Sequence, residues 1–232
     1  IWTKNISNRK KRPVLVWFHG GGFSDGSSIE QLAYDGYALA VKNDAVVISV
    51  NHRLNILGYL DLSEYGKQYK HSANLGNEDL ILSLKWIRDN IEAFGGDKSN
   101  VTIFGQSGGG GKVISLMQMK ETDGLYHKAV IMSGVIPFMI YGKDADAGKL
   151  IDHLLKELDL EDVKQLETID YSKLRDAYKK VSKKLRDKGY YVGCMPKQNA
   201  YFKGDPVING FNPYSLEVPA IVDFQKGSFG LS

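Results

Sequence analysis

Two glycine-rich stretches hold the residues whose chemistry can be argued from type and spacing. In Gly105-Gln106-Ser107-Gly108-Gly109 a serine has glycine two places before it and two places after it. That spacing suits a serine held in a strained turn between a strand and a helix, where larger flanking side chains would meet neighbouring backbone. Such a turn lifts the hydroxyl to the top of a sheet and aims the next backbone N–H at a developing oxyanion. The chemistry served is attack by Ser107 on a carbonyl carbon, with a covalent acyl intermediate. For any single pattern of this kind, a glycine-rich turn with an incidental serine is the ordinary alternative.

The second stretch is His19-Gly20-Gly21-Gly22-Phe23. Successive glycines let backbone N–H groups approach a tetrahedral intermediate closely, as in an oxyanion loop. A third possibility competes for the same residues, because Gly108-Gly109-Gly110-Gly111-Lys112 invites comparison with a phosphate-binding loop. That pattern needs glycine where Gln106 stands and Ser or Thr where Val113 stands, so it fails at two positions. A dinucleotide fingerprint also fails. The segment about 20 residues on is Met132-Ser133, with no acidic partner for a ribose.

These loops need elements to hold them. Pro13 to Phe18 is a short apolar run ending in the glycine cluster, as a buried parallel strand would be, and Ala45 to Val50 is a second. Leu32 to Lys42 between them has helical spacing. Leu80, Leu84, Ile87, Ile91 and Phe94 recur at intervals of four and three and predict one helix face, with Asn77 as N-cap and Gly95-Gly96 as terminator. Val101 to Phe104 is a strand leading to Ser107, a helix follows the glycines, and Lys128 to Met132 is a further strand. This alternation predicts an α/β fold with a parallel sheet core flanked by helices over residues 1–140.

Residues 141–205 change character to charged, helix-forming sequence. Leu150, Leu154, Leu155 and Leu158 share one face, and a Lys-rich helix spans Ser172 to Lys188. The reading is a helical cap or lid inserted over the sheet. Tyr190-Tyr191 and Tyr201-Phe202 are aromatic pairs suited to packing or to lining a pocket. Residues 206–232 return to the sheet through Val218 to Val222.

Composition bounds the function. The 232 residues are 43% hydrophobic and 25% charged, with 30 basic and 27 acidic side chains for a net charge of +3. No basic stripe tracks a phosphate backbone, which argues against nucleic acid, and the run Arg9-Lys10-Lys11-Arg12 reads as a solvated turn before the first strand. No uninterrupted apolar segment reaches the roughly 18 residues of a membrane span. Cys194 is the sole cysteine, so no intrachain disulfide forms, which favours a reducing compartment such as the cytoplasm. Nothing in the sequence calls for a metal or cofactor.

Long ordered stretches resemble the type B carboxylesterases, the α/β-hydrolase family that includes cholinesterases and bacterial para-nitrobenzyl-type esterases. They are Arg12-Pro13-Val14-Leu15-Val16-Trp17-Phe18-His19-Gly20-Gly21-Gly22-Phe23, Val50-Asn51-His52-Arg53-Leu54-Asn55-Ile56-Leu57-Gly58-Tyr59 and Asn74-Leu75-Gly76-Asn77-Glu78-Asp79. Further matches are Leu84-Lys85-Trp86-Ile87, Asn90-Ile91-Glu92-Ala93-Phe94-Gly95-Gly96-Asp97 and the run from Asn100 to Gly109. The resemblance implies an α/β-hydrolase core with Ser107 as nucleophile and the backbone N–H groups of Gly21, Gly22 and Gly108 as the oxyanion hole. It implies a small-molecule carboxylic ester as substrate.

The chain also departs from the family. Gln106 and Gly108 stand where Glu and Ala are usual, and His52 stands where tyrosine is usual. The superfamily order is Ser, then acid, then His. The five histidines, His19, His52, His71, His127 and His153, do not follow an acid in the C-terminal region. An ungapped match puts Ser228 at the acid position, and a two-residue slip puts Lys226 there. The expectation is a sheet incomplete at both ends and a chain that, by itself, is inactive or weak, its base and acid lying elsewhere. A dimer or a complementing chain stays open as their source. The competing reading is a non-catalytic binding or interaction module on the same fold.

Overall fold

Five strands form one parallel sheet in the computed structural model, which describes residues 1–7, 10–134, 147–190, 192–193 and 195–223. They are β1 (Arg12–Phe18), β2 (Val46–Val50), β3 (Gly96–Gln106), β4 (Lys128–Met132) and β5 (Ala220–Asp223), in the order β2-β1-β3-β4-β5. β1 is central to the register: Val14 is partnered by Val46 on one side and by Val101 on the other. β4 continues the sheet from Thr102↔Lys128, and β5 adds to it from Ala129↔Ala220. Because every pair is parallel, all strands deliver their following loops to one edge, where open α/β sheets bind ligands.

Between β1 and β2 lies α1 (Tyr37–Asn43). The expected helix over Leu32 to Lys42 is broken there into a single turn at Leu32–Tyr34 and α1, since Asp35-Gly36 interrupts it and Gly36 is packed against Trp2 and Val47. After β2 come α2 (Asn55–Tyr59) and α3 (Leu75–Asn90). The predicted α3 face is the buried one. Leu80, Leu84, Ile87 and Ile91 join Val14, Val16, Phe18 and Ile103 in the main core, with Phe94 packed beside them. Burying a side chain of this kind stabilises the fold by about 1.5–3 kcal/mol.

Asn77 does not cap this helix. α3 begins earlier, at Leu75, and Asn77 lies buried within it, accepting a hydrogen bond from the Tyr59 hydroxyl at 3.3 Å. Tertiary packing extends the helix backward, because Gly76 is seated directly against the Tyr59 ring. Gly95, at φ 82°, ends the following turn as expected. The basic run before β1 also differs from a solvated turn at its last member. Arg12 is buried, paired with Asp44 at 2.7 Å and bonded to Asn5. Arg9 lies outside the described residues.

α4 (Gly108–Leu116) follows β3 and is buried along its whole length. α5 (Ala147–Leu158) and α6 (Tyr171–Arg186) form a second apolar cluster in which Leu150, Leu154, Leu174, Val181 and Leu185 join Phe23, Ile56 and Tyr59. The helical segment is thereby tied to the end of the glycine loop, at Phe23. α6 starts with Asp170 accepting from Ser172 N and Lys173 N, a side-chain cap that the sequence reading did not name. Short helices α7 (Pro206–Asn209) and α8 (Pro213–Glu217) lead into β5. Phe202 is buried and Tyr201 borders a cavity of about 440 Å³ shared with His71, Glu78 and Lys85. Tyr191, Cys194, Lys226 and Ser228 lie outside the described residues. Among the described residues, no helix is long and apolar enough to cross a membrane.

Candidate active site

β3 ends at Gln106 and α4 begins at Gly108, so Ser107 alone makes the turn between them. Its backbone sits at φ 55°, ψ −123°, a conformation that L residues rarely adopt. Strain of this kind costs on the order of 1–3 kcal/mol and persists only where the surroundings hold it. Here Ser107 N–H donates to the Met132 carbonyl at 2.8 Å, and the Ser107 carbonyl accepts from Gly111 N–H at 3.0 Å. The turn is thus pinned to the end of β4 and to α4 at once.

The flanking glycines are explained by backbone contact rather than by freedom of rotation. A Cβ on Gly105 would lie 2.4 Å from the Gly109 carbonyl carbon, and one on Gly109 would lie 2.1 Å from Phe18 O. No side chain fits at either place, so α4 can start directly over the ends of β1 and β3.

The same close approach joins the two glycine loops. A Cβ on Gly108 would fall 2.3 Å from Gly22 N, and one on Gly20 would lie 3.7 Å from the Ser107 Cβ. Gly21 and Gly22 have φ of 80° and 63°, and the Gly21 carbonyl accepts from Ser24 N–H and Asp25 N–H in a tight turn. Among the described residues, the N–H groups of Gly21, Gly22 and Gly108 donate no hydrogen bond. The structure therefore gathers Ser107, Gly20, Gly22 and Gly108 at one edge of the sheet, with Gly21 in the adjoining turn.

Beneath the loop Lys112, His19 and His52 form a cluster, a meeting that their positions in the sequence did not indicate. Lys112 is fully buried on α4, and its Nζ donates to His19 O at 2.8 Å and to Gly20 O at 3.4 Å. The His19 ring donates from Nδ1 to Gly20 O at 2.9 Å, which fixes the tautomer, and it stacks on the His52 ring at 5.2 Å. Burial, with Lys112 nearby, lowers the His19 pKa and carries that of His52 down to about 3. Burial likewise brings Lys112 down to about 7, opposed only by the charge of Glu30. The one signal in the sequence was a lysine placed between four glycines and the apolar residues Val113 and Ile114.

The remaining histidines lie away from Ser107 in the fold's other contacts or at its surface. His127 Nδ1 accepts from Val101 N–H at 3.2 Å, His71 packs against the Tyr201 ring, and His153 is exposed on α5. Among the described residues no histidine is hydrogen-bonded to Ser107. Nor do the described residues include a cluster of three His, Cys, Asp or Glu side chains fit to hold a metal.

Comparison with known proteins places the chain in a family. Residues 1–224 match the carboxylesterase family. The para-nitrobenzyl esterase of Bacillus subtilis is 46% identical over 125 residues, which is 54% of this chain and 25% of that protein. Chicken acetylcholinesterase (Gallus gallus) is 41% identical over 134 residues, 58% of this chain and 17% of that one. Among solved structures, an esterase from Clostridium hathewayi described as hydrolysing aliphatic aromatic polyesters superposes with a TM-score of 0.89. It is 50% identical and covers 95% of this chain and 44% of its own. A thermophilic para-nitrobenzyl esterase superposes at 0.74 with 32% identity, over 84% of this chain and 40% of that one. The chain thus spans between about a sixth and somewhat under half of these relatives. With a parallel α/β-hydrolase sheet, a strained serine turn after β3 and a family match over nearly its whole length, the chain belongs to the carboxylesterase family.

Proposed function

We propose that this chain supplies the nucleophile and oxyanion hole of a serine hydrolase acting on uncharged carboxylic esters. Ser107 Oγ attacks the ester carbonyl carbon while a general base takes its proton. The carbonyl oxygen becomes an oxyanion held by the N–H groups of Gly21, Gly22 and Gly108. Collapse of this intermediate breaks the bond to the alcohol oxygen, which leaves with the proton, and Ser107 keeps the acyl group until water releases it. The observation that carries the reading is the strained Ser107 backbone held against the Gly20 to Gly22 loop.

The general base and its acid lie outside the described residues, or in another chain. Loss of general-base help costs a factor on the order of 10²–10⁴, so the chain alone is weak or inactive. The helical segment of residues 141–205 acts as a cap, supported by its shared apolar cluster with Phe23 at the end of the oxyanion loop. The relative described as hydrolysing aliphatic aromatic polyesters supports an ester as the substrate. A reducing compartment such as the cytoplasm is supported by the lone cysteine.

A second reading, a binding module without catalysis, is favoured by the absence of a histidine partner for Ser107 among the described residues. Treatment with a fluorophosphonate probe and a short-acyl p-nitrophenyl ester separates the two. The esterase reading expects labelling of Ser107, lost in Ser107→Ala, in a version extended C-terminally to the length of the solved relatives. No labelling of either the chain or the extended version would leave the binding-module reading standing.

A further inference from the structure

Lys112 is the residue that the failed phosphate-loop pattern left without a purpose. It is a cation on the nucleophile helix, buried at 0% exposure, where an aliphatic side chain would satisfy packing and a lone charge is costly. Its ammonium is turned toward the neighbouring loop. It donates to His19 O at 2.8 Å and to Gly20 O at 3.4 Å, and it lies 6.0 Å from the centre of the Phe23 ring, so it is bonded to two residues of the His19 to Phe23 loop and faces a third.

The Gly20 carbonyl matters because of what shares its peptide plane. Gly20 C=O belongs to the same peptide unit as the Gly21 N–H. That oxygen accepts from His19 Nδ1–H at 2.9 Å as well as from Lys112. Two donors fix the orientation of the plane, and they draw electron density toward the oxygen, which strengthens the N–H at its other end as a donor. The loop could otherwise rotate, since Gly21 and Gly22 both have positive φ and no side chains to hold them.

Resting on the esterase reading above, we infer that Lys112 is a positioning residue for the oxyanion hole, clamping the His19 to Phe23 loop to the nucleophile helix so that the Gly21 N–H points at the oxyanion. The groups facing it are His19 and His52, both held neutral by burial, and the carboxylate of Glu30, which is the charge that favours the ammonium. Lys112 does not touch the reacting atoms. It acts through the loop backbone, which ties the N–H donors of one buried lysine to the geometry of the hole.

The test compares Lys112→Met, which keeps length and bulk without donors, with Lys112→Gln, which restores one N–H donor. Amide hydrogen exchange at Ser24 and Asp25, which donate to Gly21 O, reports loop order whether or not Ser107 is reactive. The Met variant is expected to exchange there at least about tenfold faster, with protection of the β-strands unchanged and Gln intermediate. In the extended version, kcat for p-nitrophenyl acetate is expected to fall about 10- to 100-fold with little change in KM, because the loss is felt only as the oxyanion develops. Unchanged loop exchange in the Met variant, or equal falls in kcat/KM arising from KM alone, would overturn the inference. If neither variant folds, ¹⁵N-lysine spectra of the wild type decide: a Lys112 Nζ protected from solvent exchange supports the clamp, and a freely exchanging one removes it. An unreactive Ser107 in the extended wild type would refute the esterase reading instead, while the exchange result still decides whether Lys112 holds the loop.

Discussion

Gly22 and Gly108 are packed backbone to backbone, so closely that a Cβ on Gly108 would lie 2.3 Å from Gly22 N and 2.4 Å from Gly22 O. The residue after the nucleophile and the third glycine of the loop are thereby parts of one surface. Alanine, the usual family residue at this place, does not fit against the loop as it is seated here.

Gly108→Ala is therefore expected to push the loop away from Ser107 while leaving the helix intact. Displacement of oxyanion donors costs about 10²–10³ in rate. Second-order rates of Ser107 labelling by a fluorophosphonate, measured in the extended version, check this. A rate equal to wild type would mean that the loop shifts without loss.

Ser107→Gly is expected to remove labelling and to raise stability by about 1 kcal/mol, since glycine adopts φ 55° without the strain that serine bears. Urea unfolding measures the gain. Ser107→Ala, which keeps the strain, should abolish labelling with no such gain.

Leu84 is fully buried on the core face of α3, among strand residues of the sheet. Leu84→Ala should cost about 2–5 kcal/mol in unfolding free energy. Leu82, two residues away and 60% exposed, should cost far less on the same change.

Lys112 makes stability depend on pH in a definite direction. Its pKa is about 7 in the fold and 10.5 in the unfolded chain, so between these values the unfolded chain binds more protons. Stability then rises with pH across that window, and below about pH 7 this group contributes no slope. One proton sets the limit, about 1.4 kcal/mol per pH unit. Urea unfolding of wild type and Lys112→Met between about pH 7 and 9 should show a steeper rise in the wild type. Parallel slopes would show that the ammonium is solvated in the native state.

Much of the architecture was legible because it follows local rules. Apolar runs marked β1, β2 and β4, and the spacing of Leu80, Leu84, Ile87 and Ile91 marked the buried face of α3. What escaped were features decided by distant partners. Asn77 has the composition of a cap, yet Tyr59 draws it into the helix. Arg12 sits in a basic run, yet Asp44 and Asn5 bury it.

For the site, the order of glycines around Ser107 and after His19 was enough to name the nucleophile turn and the loop, because close backbone approach tolerates no other residue. Their juxtaposition was not in the sequence. It arises because β1 and β3 lie side by side in register, Phe18 beside Gly105, which brings two segments some 85 residues apart into contact at one sheet edge. The role of Lys112 arose the same way. A lysine in an apolar helix reads as an anomaly until the fold sets the carbonyls of His19 and Gly20 against its ammonium. Residue types determined which groups are able to do the chemistry, and the parallel register of two strands decided which of them meet.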